Sequence, residues 1–337
     1  MATKWGIFSA GKISNDFVVA LQTLPAQDHQ VVGLAARDFN RAKEFAQSHG
    51  ILKVYNSYEE LASDPDIDVI YIGAIHPVHK NLGLMCMEKG KNVLCEKPLA
   101  MNLAEVKELI SAARNHNVFL MEVFTILAFW SRFFPVYEQI RSLLNQKALG
   151  EVKVVQAEFG VNLLHIPRAV DKELGGGALL DIGCYCVQFA LMAFSGEKPE
   201  SITARGYLHE TGVDETVTII LQYSGKRQAI LTSTLVTQMP NRAVICGTKG
   251  MVQIPSFMWS PTTIIVNGEE TKYPLPPTTK HLNFWNSTGL SYEAEHVRQC
   301  LLKGLKESPV MSLAESELLA SIMEEVHIQL GIYKNKT

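Results

Sequence analysis

Short apolar runs alternate with amphipathic segments along the first third of the chain. The runs Trp5 to Ser9 and Gln30 to Ala36 have the length and apolar content of buried strands. The segments Asn40 to His49 and Val78 to Lys89 have apolar residues three or four apart, which is the spacing of a helix face. This alternation predicts βαβ units, and therefore a Rossmann-type doubly wound parallel sheet over residues 1–129.

The pattern changes after residue 130, where strands follow one another with few helices between them. Tight turns at Ser224-Gly225 and Asn267-Gly268 join neighbouring strands, which predicts a large, mostly antiparallel open sheet. The segment 217–221 has apolar residues on both faces of its strand, so we expect helices on one face and a second copy of the chain on the other. We therefore predict an α+β domain over residues 130–337 that forms a homodimer through its sheet.

The composition is that of a globular protein and excludes several kinds of partner. The 337 residues are 47% hydrophobic and 19% charged, which is enough for two domains with their own cores. The formal net charge of −3 shows no basic excess, so we expect no nucleic-acid or membrane partner. The six cysteines form no C-x-x-C pair, which predicts reduced thiols, no metal and a cytoplasmic location. The N-terminus lacks the apolar core of a signal peptide, which fits that location.

The turn after the first strand has the spacing of a dinucleotide-binding fingerprint with fewer glycines. Ser9, Gly11 and Ser14 occupy the three glycine positions of G-x-G-x-x-G. Gly11 would let the backbone approach a pyrophosphate, whose charge the following helix N-terminus favours. Ser9, Gly11 and Ile13 are therefore candidate cofactor contacts, although a turn in any α/β protein could have this sequence.

Basic residues follow the second strand, where enzymes that use NAD place an acidic one. The second strand ends in Ala35-Ala-Arg37-Asp38, and Arg41 lies one turn later. Two guanidinium groups suit a 2′-phosphate, which they can bind in a bidentate way, so NADP is the predicted cofactor. Two alternatives stay open: the arginines could be ordinary surface residues, and Asp38 could support NAD.

Several polar residues follow later strands of the predicted parallel sheet, at the edge where ligands bind. Glu96 and Lys97 come directly after a buried strand, although Lys97 could also be a solvated loop lysine. His76 and His79 follow the preceding strand and could contact the nicotinamide ribose. No third ligand accompanies them, so we predict no metal site there.

A carboxylate and a phenol interrupt an otherwise apolar helix in the second domain. Asp181 and Tyr185 are four residues apart in Gly175-Gly-Gly-Ala-Leu-Leu-Asp181-Ile-Gly-Cys-Tyr185, so we expect them on one helix face. Charged and phenolic groups are unusual on a buried face, which marks this segment as a candidate site.

Three of these motifs together resemble the glucose–fructose oxidoreductase, inositol dehydrogenase and rhizopine-catabolism (Gfo/Idh/MocA) family, and the resemblance covers nearly the whole chain. The motifs are Ser9-x-Gly11, Glu96-Lys97-Pro98 and Gly-Gly-Gly-Ala-Leu-Leu-Asp181-x-Gly-x-Tyr185. The resemblance implies that Tyr185 is the general acid/base of a hydride transfer, with its pKa lowered by Lys97. It also implies that Asp181 hydrogen-bonds Lys97 or a substrate hydroxyl.

The resemblance further implies NADP-dependent oxidation of a small molecule by the second domain. The expected substrates are trans-dihydrodiols of aromatic hydrocarbons and D-xylose or related aldoses. Aromatic residues expected to line the substrate pocket, each of which could instead be plain core, are Trp130, Phe159, Trp259 and Phe284. The alternatives are an oxidoreductase for another sugar and a non-catalytic NADP-binding regulator. The joint presence of Lys97, Asp181 and Tyr185 favours an enzyme.

The chain departs from the family pattern just before Trp130. The segment Phe124–Phe129 is a few residues longer than that pattern. This insertion lies at the junction of the two predicted domains.

Overall fold

The computed structural model describes residues 1–122 and 129–333, without the side chains of residues 129 and 130. The chain forms two compact units: Met1–Ile126 with Leu275–Ser316, and Leu127–Pro274 with Glu317–Thr337. The first boundary is close to the one predicted near residue 129. The return of residues 275–316 to the first unit differs from the prediction of two continuous segments. Apolar periodicity shows that a helix is buried, but it does not show which sheet buries it.

The first unit is built on a six-stranded parallel sheet with strand order β3-β2-β1-β4-β5-β6. Its strands are β1 (Thr3–Phe8), β2 (His29–Ala35), β3 (Lys53–Tyr55), β4 (Val69–Ile72), β5 (Asn92–Cys95) and β6 (Leu120–Glu122). All five strand pairs are parallel, which confirms the predicted doubly wound sheet. The strand order reverses direction between β1 and β4, and ligands of such sheets bind at that point.

Side-chain caps fix the starts of three of the five crossover helices. The helices are α1 (Lys12–Leu21), α2 (Phe39–His49), α3 (Tyr58–Ser63), α4 (His79–Glu88) and α5 (Leu103–Asn115). Ser57 accepts a hydrogen bond from the Glu60 amide, and Asn102 accepts one from the Glu105 amide. Such caps satisfy helix amides that have no partner within the helix, so the polar residue before each apolar run sets where the helix begins.

The second unit is built on an eight-stranded sheet with strand order β14-β13-β12-β11-β7-β10-β9-β8. Its strands are β7 (Val152–Gly160), β8 (Ser201–Leu208), β9 (Asp214–Tyr223), β10 (Arg227–Thr234), β11 (Ala243–Gly247), β12 (Met251–Ile254), β13 (Thr263–Val266) and β14 (Glu269–Lys272). Only the β7–β10 pair is parallel, so the sheet is mostly antiparallel, as predicted. β14 was not predicted, because all four of its residues are exposed and none is apolar.

The later helices are α6 (Pro135–Asn145), α7 (Pro167–Val170), α8 (Cys184–Ala193), α9 (Leu290–Leu302) and α10 (Leu313–Gln329). α8 packs on β7 and β10 in the second unit, whereas α9 packs on α1 in the first. The stretch Lys172–Ala193 is long and apolar enough to cross a membrane, but its apolar part is buried, as core helices often are. The continuous helix predicted around Asp181 and Tyr185 begins instead as a π-helical turn (Leu179–Gly183). The turn requires glycine at position 183, because a Cβ there would lie 2.6 Å from Ser233 Oγ of β10.

Candidate functional site

The candidate cofactor residues of the first unit follow the carboxyl ends of four strands. Ser9 comes after β1 and Arg37 after β2. His76 comes after β4 and Lys97 after β5. The strands are parallel, so these residues lie at one edge of the sheet, on both sides of the point where the strand order reverses.

Ser9 adopts the backbone conformation of the glycine that it replaces. Its φ is 82°, in the left-handed region that costs a residue with a side chain on the order of 1 kcal/mol. Its amide donates to the Ala35 carbonyl with a separation of 2.8 Å, which holds the turn against the end of β2. The fingerprint geometry is therefore present although the first glycine is not.

Ser14 fits at the third glycine position of the fingerprint because the residue that it contacts, Gly73, is itself a glycine. Its side chain is fully buried in α1 next to Gly73, which follows β4. A Cβ on Gly73 would overlap the Ser14 hydroxyl and would lie 2.8 Å from the Tyr71 ring. The close approach of helix to strand that the third glycine usually permits is thus provided by Gly73.

Gly11 keeps open the space in which a pyrophosphate would lie. It is the N-cap of α1, and no side chain caps that helix end. Its φ of −87° suits any residue, and a Cβ there would come no closer than 3.5 Å to Ser9 Oγ. The fold itself therefore does not require glycine at this position, whereas a ligand against the helix N-terminus would. Ile13, by contrast, is buried in α1.

We expect Gly11→Ala to weaken NADPH binding more than tenfold while changing the free energy of unfolding by less than about 1 kcal/mol. The added methyl group would occupy the phosphate position without overlapping the protein, since its nearest neighbours would be Ser9 Oγ at 3.5 Å and the Gly73 carbonyl oxygen at 3.8 Å. Titration of nicotinamide fluorescence measures the affinity, and urea unfolding measures the stability. Gly73→Ala is the matched variant, and it should destabilise the unit because its Cβ has no room. Normal NADPH affinity in Gly11→Ala would contradict this assignment.

The charged residues after β2 have different roles in the structure. Asp38 is the N-cap of α2, and its Oδ1 accepts hydrogen bonds from the amides of Asn40 and Arg41 at 2.9 Å and 3.1 Å. Arg37 and Arg41 are both exposed, and neither pairs with an acidic side chain in the part of the chain described. Because Asp38 caps α2, the two guanidinium groups remain available to a ligand next to the end of β2.

Two buried side chains hold the segment that carries Lys97. The ring of His79 lies between two carbonyl oxygens, with Nδ1 2.8 Å from Pro98 O and Nε2 2.9 Å from Ala74 O. On the other side, the Leu99 amide donates to Glu122 Oε1 at 2.7 Å. Burial lowers the pKa of His79, against the effect of the two carbonyl partners. His79 therefore supports this segment, which differs from the contact with the cofactor ribose predicted for it.

The structure places two further predicted residues inside the unit. His76 is buried, with its ring centroid 5.9 Å from that of His79. Glu96 is also buried and accepts a hydrogen bond from the Tyr71 hydroxyl, whose ring stacks on Phe17 at 3.8 Å. The Glu96 carboxylate thus has a partner in the core. Strand periodicity could not distinguish this buried position from one that faces a ligand.

Glu122 links the stability of the first unit to pH. Burial raises the pKa of its carboxyl from 4.5 to about 8, and the Leu99 amide only partly opposes this. Between these values the folded chain holds a proton that the unfolded chain has lost. The stabilising contribution is therefore complete below about pH 4.5 and is lost as the pH rises through about 8.

We expect Glu122→Gln to remove this pH dependence, because the amide resembles the protonated carboxyl and keeps an acceptor for Leu99. Relative to the parent protein, the variant should gain free energy of unfolding, on the order of 4 kcal/mol, between pH 5 and pH 9. Urea unfolding across that range measures the gain. Glu88→Gln, at an exposed position of the same unit, should show no such gain. Parallel pH curves for the parent and Glu122→Gln would contradict the prediction.

The predicted acid/base of the second unit lies in an aromatic cluster. Tyr185, at the start of α8, is fully buried within the described chain. Its ring meets the edge of Phe159 at 5.2 Å between centroids, and Phe159 stacks on Trp259 at 4.0 Å with the planes 2° apart. Three of the residues predicted from separate parts of the sequence are therefore adjacent.

Asp181 has a partner that the sequence did not reveal. Its Oδ1 lies 3.3 Å from Arg168 Nη1, and the carboxylate is buried while the arginine is partly exposed. The pairing depends on the loop between them, in which the Gly177 amide donates to the Ala169 carbonyl. No local pattern marks Arg168, because its proximity to Asp181 arises only when this loop closes.

Phe284, predicted to line the substrate pocket, is held in the first unit by a buried carboxylate in α1. Asp16 Oδ2 accepts hydrogen bonds from the Phe284 amide at 2.8 Å and the Ser287 hydroxyl at 2.5 Å. Its Oδ1 accepts two more from the amide and side chain of Asn283. The remaining pocket residue, Trp130, has its side chain outside the described residues. Residues 123–128, most of the longer segment, also lie outside them.

Comparisons with known proteins cover both units. Residues 3–124 match the model of an oxidoreductase family with an NAD-binding Rossmann fold, and residues 137–253 match the GFO/IDH/MocA C-terminal domain. The chain is 72% identical over 332 residues to trans-1,2-dihydrobenzene-1,2-diol dehydrogenase of Xenopus laevis, covering 98% of this chain and 99% of the relative. It is 55% identical to the Homo sapiens protein of that name, covering 98% of both. The fold is similar to that of an aldose-aldose oxidoreductase from Caulobacter crescentus, with a TM-score of 0.83, 20% identity and coverage of 98% and 97%.

Proposed function

This chain belongs to the Gfo/Idh/MocA oxidoreductase family, and from that membership we propose that it oxidises trans-dihydrodiols of aromatic hydrocarbons with NADP. We extend the proposal to D-xylose and related aldoses. Nicotinamide-dependent oxidoreduction of a small molecule follows from the family and from the relatives at 55–72% identity. The choice of NADP, the substrates and the residue roles are the proposal.

The observation that carries the proposal is the position of Tyr185 against the stacked rings of Phe159 and Trp259. A flat aromatic pair suits the ring of a dihydrodiol or the apolar face of a sugar. A phenol beside it can exchange a proton with a hydroxyl group on that ring. The cluster thus combines a surface that recognises the substrate with a group that can do the chemistry.

The residues of the first unit fit a nicotinamide dinucleotide. The open space at Gly11 and the uncapped start of α1 suit the pyrophosphate, and Arg37 and Arg41 suit a 2′-phosphate. When bound, the nicotinamide ring accepts the hydride from the substrate carbon. The residues that hold the cofactor are separate in sequence from those that hold the substrate.

Tyr185 acts in this proposal as the base that takes the proton of the hydroxyl being oxidised. Lys97, which the family motif pairs with Tyr185, stabilises the phenolate by its positive charge. Asp181, kept close to Arg168, accepts a hydrogen bond from a second hydroxyl and orients the substrate. In the reverse direction Tyr185 returns the proton to the carbonyl oxygen.

We also propose a homodimer formed through the open face of the eight-stranded sheet. Along β9, Ile219 and Leu221 are buried, whereas Ile220 between them is 36% exposed and paired with Ile230 of β10. The next strands bring Gln156 and Val244 into the same row. A second copy covering this face would bury Ile220, Ile230 and Val244, with the polar Gln156 between the last two. Light scattering tests this by asking whether the particle has twice the mass of one chain.

The cytoplasmic location predicted from the sequence is also part of the proposal. The six cysteines are free thiols, five of them buried, which suits a reducing compartment. Fractionation of cells that express the full chain tests this location.

The activity is tested by following nicotinamide reduction by absorbance in the purified protein. D-xylose and a benzene trans-dihydrodiol are each offered with NADP and with NAD. Turnover with NADP on the dihydrodiol supports the proposal, and the ratio of kcat/KM values ranks the two substrates. Tight NADPH binding without turnover on either substrate would contradict it and favour a non-catalytic regulator.

A further inference from the structure

A buried carboxylate lies against the turn that begins the segment carrying Asp181 and Tyr185. Asp214, the first residue of β9, is 1% exposed. Its Oδ2 accepts a hydrogen bond of 2.6 Å from the amide of Leu179, the first residue of the π-helical turn. Asp214 is therefore the side-chain cap of this turn, and it comes from a distant strand rather than from the preceding residue.

Gly177 makes room for this carboxylate. Its φ of 118° is a conformation that favours glycine, and a Cβ there would overlap Asp214 Oδ1. The Gly177 carbonyl accepts a hydrogen bond of 3.0 Å from the Asp181 amide. Asp214, Gly177 and Asp181 thus form a continuous series of contacts. A displacement of Asp214 would therefore also displace the π-helical turn.

The other oxygen of Asp214 faces a single basic group. His327 of α10 places Nε2 3.6 Å from Asp214 Oδ1, and both side chains are almost fully buried. No hydrogen bond reaches Oδ1 from the described residues, and the Tyr333 ring packs against the imidazole with 4.7 Å between the ring centroids. A buried carboxylate without a partner is costly, and the His327 imidazole is the basic group placed to hold Asp214 in position.

We propose that Asp214 and His327 are positioning residues for the reaction, and that their pairing fixes the π-helical turn and hence Asp181 and Tyr185. This inference rests on the roles given to those two residues under the proposed function. Neither Asp214 nor His327 would touch the substrate. Their effect is on the geometry of proton transfer, where a displacement of about 1 Å can lower the rate up to 10²-fold.

The test compares Asp214→Asn, His327→Gln and the double variant with the parent. Asn keeps an acceptor for the Leu179 amide but loses the carboxylate, and Gln removes the imidazole. Each single variant should lower kcat at least tenfold, with KM for substrate and Kd for NADPH within twofold of the parent. Since both changes break one pair, the double variant should lose no more than the worse single one.

Asp171→Asn is the matched control, because Asp171 caps the neighbouring turn through the Glu173 amide from an exposed position. Its kcat should not change. Hydrogen exchange supplies a readout that does not need activity: the Leu179 and Asp181 amides should exchange faster in both single variants than in the parent.

Three outcomes would overturn the inference: unchanged kcat in either folded variant, losses that add in the double variant, or an equal loss in Asp171→Asn. If Asp214→Asn fails to fold, His327→Gln alone decides between the first outcome and the expected one. An inactive parent protein would count against the proposed function instead. In that case, unchanged exchange at Leu179 and Asp181 would still overturn the positioning role.

Discussion

Tyr185→Phe should lower kcat by about 10²–10⁴-fold while leaving NADPH affinity near normal. The substitution removes the hydroxyl that exchanges the proton and keeps the ring that packs on the edge of Phe159. The residues assigned to the cofactor belong to the other compact unit, so its binding should not depend on this hydroxyl. The expected signature is therefore a loss confined to turnover.

The measurement is steady-state oxidation with NADP, alongside fluorescence titration of NADPH. Tyr223→Phe is the matched control, since Tyr223 is a second buried phenol of the same unit, packed on Phe194 with 4.2 Å between centroids. It should keep the parent kcat. Turnover retained in Tyr185→Phe would remove Tyr185 from the mechanism, and loss of NADPH binding would mean that its role is structural.

Arg37→Ala should raise the Kd for NADP by about 10–100-fold and leave the Kd for NAD nearly unchanged. A charge-assisted hydrogen bond contributes about 1.5–3 kcal/mol, and only NADP has the phosphate that would accept it. Asp38 is occupied in capping α2, so it should not compensate by binding the ribose of NAD more tightly.

Measuring the Kd of NADP and of NAD for Arg37→Ala, Arg41→Ala and Lys43→Ala separates recognition of the 2′-phosphate from nonspecific electrostatic attraction. Lys43 is an exposed cation on α2, the helix that also contains Arg41, and its ammonium lies over the Phe39 ring. Its removal should affect both nucleotides equally and weakly. Equal losses of NADP and NAD affinity in Arg37→Ala would show that Arg37 does not recognise the 2′-phosphate.

The sequence predicted those features that depend on neighbours along the chain. The alternation of apolar runs predicted the parallel sheet, and the spacing of apolar residues predicted helices close to the observed α2 and α4. The turn after the first strand was also located correctly, between β1 and α1. In each of these cases the physical cause lies within a few residues of its effect.

The features that were missed depend on residues brought together by folding. Asp16 and Asp214 each act on a segment far away in sequence, and Arg168 meets Asp181 only when the loop between them closes. A single acidic or basic residue carries no sign of its partner. The position of Glu96 was missed for a related reason, since a residue at the end of a strand can face either the core or a ligand. Identifying such residues required the three-dimensional contacts.

The return of α9 to the first unit determines when that unit can be completed during synthesis. An ion pair and a hydrogen bond join it to residues before β2 and in β2: Arg298 pairs with Asp28 at 2.6 Å, and His29 Nε2 lies 2.8 Å from Glu295 Oε2. A nascent chain that has reached residue 129 lacks both partners and the helix that covers α1. The first unit therefore cannot finish folding on the ribosome until the strands of the second unit have been synthesised. A fragment ending at residue 129 would not serve as a transferable cofactor-binding module.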